Sequence, residues 1–190
     1  GCAVPVSTVR PLAEPAPRGL WGGLATMKIE LRSVAYSARL SEETMNFHAE
    51  VWIDGKKAGY AQNHGTGGNT NVLPNSLRER LDEYGKTLPQ VDIGTSTGGE
   101  PHLIVQDAEW IVDSLLTEWI MRRDLKRALK NRVLYTHTEM PGVYQTKVLK
   151  PDEMAKILAS TEVKAKWKVK AWLNTIPEDE AIAIYRNNGR

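Results

Sequence analysis

Between Met45 and Asp54 apolar and polar residues alternate without a break, and the run ends in Asp54-Gly55. Met45, Phe47, Ala49, Val51 and Ile53 fall on one side of an extended chain, with Asn46, His48, Glu50, Trp52 and Asp54 on the other. A period of two does not fit a helix face; it specifies a half-buried strand. Both central residues of a type I′ turn need φ > 0, so the Asp-Gly step predicts a hairpin, with a return strand from about Lys57 to Asn63. Upstream, Ile29 and Leu31 share one face while Val34 and Tyr36 share the other, a change of phase that predicts a bulge near Ser33. The polar run Leu40-Ser41-Glu42-Glu43-Thr44 turns the chain between these strands. The result is a three-stranded antiparallel meander.

A sheet with one apolar face needs a cover, and helical periodicity supplies it. Leu77, Leu81 and Tyr84 recur at helical spacing, with Asn75 or Ser76 placed to cap and Gly85 to terminate, predicting a helix from about Asn75 to Tyr84. A longer helix is predicted from an Asp107 cap to about Asn131, its apolar stripe made by Ile111, Leu115, Trp119 and by Val112, Leu116, Ile120. The stretch from Thr87 to Gln106, rich in Gly, Thr and Pro, reads as a long loop. Arg132 to Thr138 and Val143 to Leu149 flank Glu139-Met140-Pro141-Gly142 and predict a second hairpin. Pro151 opens a short helix through Ser160, and Pro177-Glu178-Asp179-Glu180 opens a terminal one. From Val163 to Ala171 strict alternation argues for a strand and the Ala and Lys content for a helix; the reading leans to helix.

The fold class is therefore α+β, a three-stranded antiparallel meander packed by a long helix, with a second hairpin and C-terminal helices. A chain of 190 residues suits one domain with a real core, assigned to residues 27–190. Hydrophobic residues at 41% and charged residues at 25% exclude a disordered chain. Residues 1–26 carry four prolines and no apolar period; they read as a disordered or extraneous tail, with Met27 the expected natural start. Six Trp and six Tyr against one Phe place polar ring edges in the core, some of which should reach the surface.

A net charge of +2 does not by itself select a polyanionic partner. The lone Cys2 allows no internal disulfide and no cysteine-based metal site, and the absence of a run of roughly 18 apolar residues gives no membrane span, so a cytoplasmic protein is expected. His48, His64, His102 and His137 lack metal-ligand spacing, and no Ser sits in a nucleophile elbow. No metal, cofactor or catalytic residue is expected. Pro151-Asp152 with Glu162-Val163-Lys164 spells the letter order of a nuclease motif whose carboxylates belong on adjacent strands; Asp152 opens a helix, and the spelling is attributed to chance.

Two segments remain as candidate sites. Arg122, Arg123, Lys126, Arg127, Lys130 and Arg132 fill the C-terminal half of the long helix with only Asp124 opposing them locally, and five of these charges fall in one sector. A helix C-terminus and a solvated face explain two or three of them; the rest point to nucleic acid or an acidic partner, with Lys164, Lys166 and Lys168 extending the patch if they lie nearby. The second segment, His64, Gly65, Gly67 and Gly68, follows a strand and is a possible anion loop, although it matches neither the Walker nor the dinucleotide pattern.

The segments Lys28-Ile-Glu-Leu-Arg-Ser-Val34, Ala38-Arg-Leu-Ser-Glu-Glu-Thr44, Asp54-Gly-Lys-Lys-Ala58, Leu115-Leu-Thr-Glu-Trp119 and Arg122-Arg-Asp-Leu125 resemble a group of small uncharacterised proteins carried by bacterial phages, prophages and plasmids. The resemblance runs from Met27 onward and brings no functional residues with it. It implies an accessory protein of a mobile element, binding nucleic acid or a host nucleoprotein or defence component. The expectation is thus a non-enzymatic binder using the basic helix face. A phosphate- or nucleotide-handling enzyme using Gly65–Gly68 and a plain protein-interaction module with exposed Trp contacts are the alternatives.

Overall fold

The structure, a computed structural model, describes Val4–Pro5, residues 27–95 and residues 101–188. In chain order the strands and helices are β1 (Val4–Pro5), β2 (Ile29–Tyr36), β3 (Phe47–Ile53), β4 (Lys56–Asn63), β5 (Asn71–Leu73), α1 (Asn75–Lys86), β6 (Val91–Thr95), β7 (Pro101–Ile104), α2 (Ala108–Leu129), β8 (Leu134–His137), β9 (Val143–Gln145), α3 (Pro151–Ala159), α4 (Thr161–Lys166), β10 (Val169–Trp172) and α5 (Glu178–Asn188). The protein is mixed α+β with antiparallel sheets. It divides into two compact units, Ala13–Thr117 and Gly1–Leu12 with Glu118–Arg190. Of the expected tail, residues 1–26, only Val4–Pro5 is described, as β1; the rest lies outside the described residues.

In the first unit β2, β3, β4 and β5 form one sheet in that order. The period of two is realised on β3: Phe47, Ala49, Val51 and Ile53 are buried while His48 is exposed. Each such burial is worth about 1.5–3 kcal/mol for the larger side chains. Asp54 and Gly55 take φ of 50° and 78°, the turn that this dipeptide favours, and Asp54 accepts the Lys28 N–H at 3.0 Å. Ser33 has φ 50° and the β2–β3 register shifts between Arg32 and Ala35, so the bulge stands where the phase change put it.

Four local expectations are corrected. The meander gains a fourth strand, β5, pairing Val72 with Ala61; at three residues it is too short to show a periodicity. The expected loop between α1 and α2 contains the β6–β7 hairpin, pairing Val91 with Ile104. Gly85 does not terminate α1, which continues to Lys86. A Cβ on Gly85 would overlap the Gln106 carbonyl, so the glycine serves the approach of the chain that enters α2. Nor do Asn75 or Ser76 cap α1; Pro74 holds that position, and its carbonyl accepts the Leu77 N–H. Asp107 does cap α2, its Oδ1 accepting the Trp110 N–H at 2.8 Å.

In the second unit the sheet order is β1-β9-β8-β10. One core cluster joins Leu125 of α2 to Leu134, Val143, Leu173, Ala181 and Ile182. Another gathers Val133, Tyr135, Met154, Val169 and Trp172, with Trp167 and Tyr144 against it. The Tyr135 ring lies 5.4 to 5.7 Å from those of Trp167, Tyr144 and Trp172. Tyr135, Tyr144, Trp167 and Trp172 thus bring part of the Trp and Tyr content together in this core. The segment 163–171 is neither all helix nor all strand: α4 ends at Lys166, Lys168 turns at φ 49°, and β10 follows. The lean to helix is corrected from Lys168 onward, where the turn has no signature in the sequence because Lys carries no preference for positive φ.

Candidate functional site

The C-terminal half of α2 belongs to the second unit, and there long-range acids meet its cations. Arg122 donates to Glu118 Oε1 through Nη2 and to Asp179 Oδ1 through Nη1, each at 3.0 Å. Lys126 lies 3.1 Å from Glu178, Arg186 lies 3.1 Å from Glu118 Oε2, and Arg123 donates to Asp124 at 2.7 Å. Glu178 and Asp179 open α5, where acids also complement the helix N-terminus. Burial works against the Arg122 charge, but the carboxylates of Asp179 and Glu118 outweigh it and hold the guanidinium protonated. The expectation that Asp124 alone opposes these cations is therefore corrected. Arg122, Arg123 and Lys126 are paired with carboxylates that come in part from α5.

The remaining cations of the segment are differently placed. Arg127 and Lys130 are exposed and Arg132 half-buried, and none of the three enters an ion pair among the described residues. The chain after β9 folds back along them: Leu149 donates its N–H to the Asn131 carbonyl at 2.8 Å, and Arg132 Nη1 reaches the Thr146 carbonyl at 3.4 Å. These bonds bring Lys147 and Lys150 beside Lys130 and Arg132. Lys147 and Lys150 are exposed and likewise enter no ion pair among the described residues. Val148, 56% exposed, stands between them. Asn174 fixes this end of the helix by donating to the Arg132 carbonyl at 2.9 Å while accepting the Leu134 N–H at 2.8 Å. Sequence reasoning missed Lys147 and Lys150 because isolated loop lysines carry no period.

Lys164 and Lys166 are exposed on α4, and Lys168 is held by Glu139 at 2.7 Å. Lys168 immediately precedes β10, the edge strand of its sheet, and Lys170 lies within it. Charged lysines on an edge strand block pairing with another chain, which accounts for Lys168 and Lys170 without a ligand.

The glycine loop is occupied by its own protein. The Gly65 N–H is donated to Asn63 Oδ1 at 2.8 Å and the Gly67 N–H to Thr44 Oγ1 at 3.3 Å. The Gly65 carbonyl in turn accepts the N–H groups of Glu42 and Glu43. The Glu43 carboxylate lies against Gly67, where a Cβ would overlap it. An anion at His64, Gly65, Gly67 and Gly68 would find two of its amide donors used and a negative charge beside it. The nuclease spelling fares no better, with Asp152 in α3 and Glu162 in α4. Among the described residues no group of three His, Cys, Asp or Glu side chains is arranged to hold a metal, and no helix is long and apolar enough to cross a membrane.

In the first unit a surface cavity of about 460 Å³ is lined by Ile53, Asp54, Lys56, Lys57, Ala58 and Arg80. Of its three cations Lys57 is paired with Glu50, and Asp54 lies inside it with the other two. The basic cluster at the end of α2 is the stronger candidate: it gathers five cations of which none enters an ion pair among the described residues, although the Glu153 carboxylate accepts the Lys150 backbone N–H at 2.8 Å. Comparison of the chain with protein-family models, curated proteins and solved structures finds no match, so the functional reading rests on the chain's own residues.

Proposed function

We propose that this is a non-enzymatic nucleic-acid-binding protein that contacts the phosphate backbone through Lys130, Arg132, Lys147 and Lys150, with Arg127 one turn earlier on α2. The observation that carries the reading is the bond from the Leu149 N–H to the Asn131 carbonyl, which sets two loop lysines beside the helix end with no ion-paired carboxylate among the described residues. A cluster of this kind binds by releasing condensed counterions, without base-specific contacts. The partial negative charge of the helix C-terminus favours cations there, and that alone explains Lys130 but not Lys147 or Lys150. The mobile-element resemblance fits an accessory protein working in the cytoplasm on nucleic acid or a host nucleoprotein.

Titration of duplex DNA at increasing salt tests this. A charge reversal at Lys147 or Lys130 should weaken binding and flatten the log–log salt slope by about 0.9 for each phosphate that is no longer neutralised. Variants with the wild-type slope would show that these side chains do not touch phosphate. Absence of binding at low salt would transfer the cluster to an acidic protein partner.

A further inference from the structure

The sheet of the first unit leaves one face carrying planar side chains. Cross-strand pairing sets Arg32 opposite Glu50 and Glu50 opposite Tyr60, while Glu30, Trp52 and Lys57 form the next row. His48 lies opposite Ala35 and Gln62. His48 and Tyr60 stack at 5.7 Å between ring centroids with 30° between planes, and the Arg32 guanidinium covers Trp52 at 4.1 Å. His48 is exposed and Tyr60 is 39% exposed. Three cations and three carboxylates meet here: Lys28 and Arg32 share Glu30, Lys57 holds Glu50, to which the Trp52 indole also donates, and Asp54 accepts the Lys28 N–H.

From this arrangement we propose that the outer face of the β2–β5 sheet is a stacking platform for the bases of a single-stranded nucleic acid. The inference rests on the nucleic-acid reading above and adds what that reading lacks, a recognition of bases. Two ready-made stacks, Tyr60 with His48 and Trp52 with Arg32, stand on the central strands β3 and β4 and on neighbouring β2. Aromatic rings and guanidinium planes on an open antiparallel sheet accept unpaired bases, and each base stacked contributes sequence-tolerant affinity. Duplex, whose bases are already stacked on one another, gains nothing from such a face. Lys28, Arg32 and Lys57 on the same face are the cations that the phosphates between the bases would meet.

The experiment compares oligo(dT) with an abasic oligomer of equal length and charge, by fluorescence anisotropy at one salt concentration. Wild type should prefer oligo(dT), and Tyr60→Ala should reduce that binding by about fivefold or more while leaving the abasic oligomer and the salt slope unchanged. Tyr60→Phe, which keeps the ring, should retain the preference; Trp52→Ala, checked for folding by its melting curve, should lose it. Equal binding of both oligomers by wild type, or a preference surviving Tyr60→Ala, overturns the platform. A flattened salt slope in Lys147→Glu with no base preference in wild type would sink the platform alone. An unchanged slope with a base preference would sink the basic cluster alone.

Discussion

Thr70 donates its hydroxyl to Asp113 Oδ1 at 2.8 Å and its backbone N–H to Glu109 Oε1 at 2.9 Å. A residue only 2% exposed in the turn before β5 thereby ties that turn to the first half of α2. Asn63 continues the network, its amide reaching the Gly68 carbonyl at 2.8 Å and Thr70 Oγ1 at 3.4 Å.

Desolvation by burial pushes Asp113 up to about 6, the Thr70 hydrogen bond opposing and the charges of Glu109 and Asp107 adding to the rise. Between the ordinary carboxylate range near about 4 and that value, the folded state holds a proton the unfolded chain has released. Stability should therefore fall as pH rises through this window and level off above it. The amplitude is about 1–3 kcal/mol once solvent screening is included. Asp113→Asn should flatten the dependence, as read by urea melts at pH 4 and pH 7; an unchanged profile would show that another group titrates.

Gly85→Ala separates helix propensity from packing. Propensity favours Ala by about 1 kcal/mol in a helix interior, yet a Cβ at this site would overlap the Gln106 carbonyl. A net loss of about 1–3 kcal/mol is expected. A raised melting temperature would contradict the close approach.

Asn174→Ala should cost about 2 kcal/mol, because it orphans the Leu134 N–H and the Arg132 carbonyl in the half-buried end of α2. Since the same bonds hold Arg132 in place, nucleic-acid affinity should fall even though no charge is removed. Amide exchange at Leu134 is the direct readout: no change in protection would mean the bond contributes nothing.

Lys170→Val should leave the melting temperature nearly unchanged and increase light scattering on incubation, since β10 is an edge strand and its lysines are what keep it from pairing. Equal solubility of the variant would make these lysines available again as binding residues.

Much of the fold was legible because its signals are short-range. The alternation of Phe47 to Ile53, the Asp54-Gly55 turn, the Asp107 cap and the bulge at Ser33 each depend on neighbours within a few residues. The elements that escaped notice lack a local code: β5 is too short for a period, β6 and β7 are masked by turn-forming composition, and Lys168 takes a positive φ with no residue type to announce it.

For the candidate site the division is sharper. The sequence by itself determined that α2 ends in a run of cations and that β3 carries His48 and Trp52 on its polar face, because helix and strand periods assign side chains to faces without reference to the rest of the chain. Only the tertiary structure decided which cations stay uncompensated. Arg122 finds Asp179 across 57 residues of sequence, and Lys147 and Lys150 join Lys130 through a backbone bond between Leu149 and Asn131. Exposed charges are screened by salt within about 10 Å, so ion pairing follows from which elements the fold brings side by side, a matter no local pattern encodes.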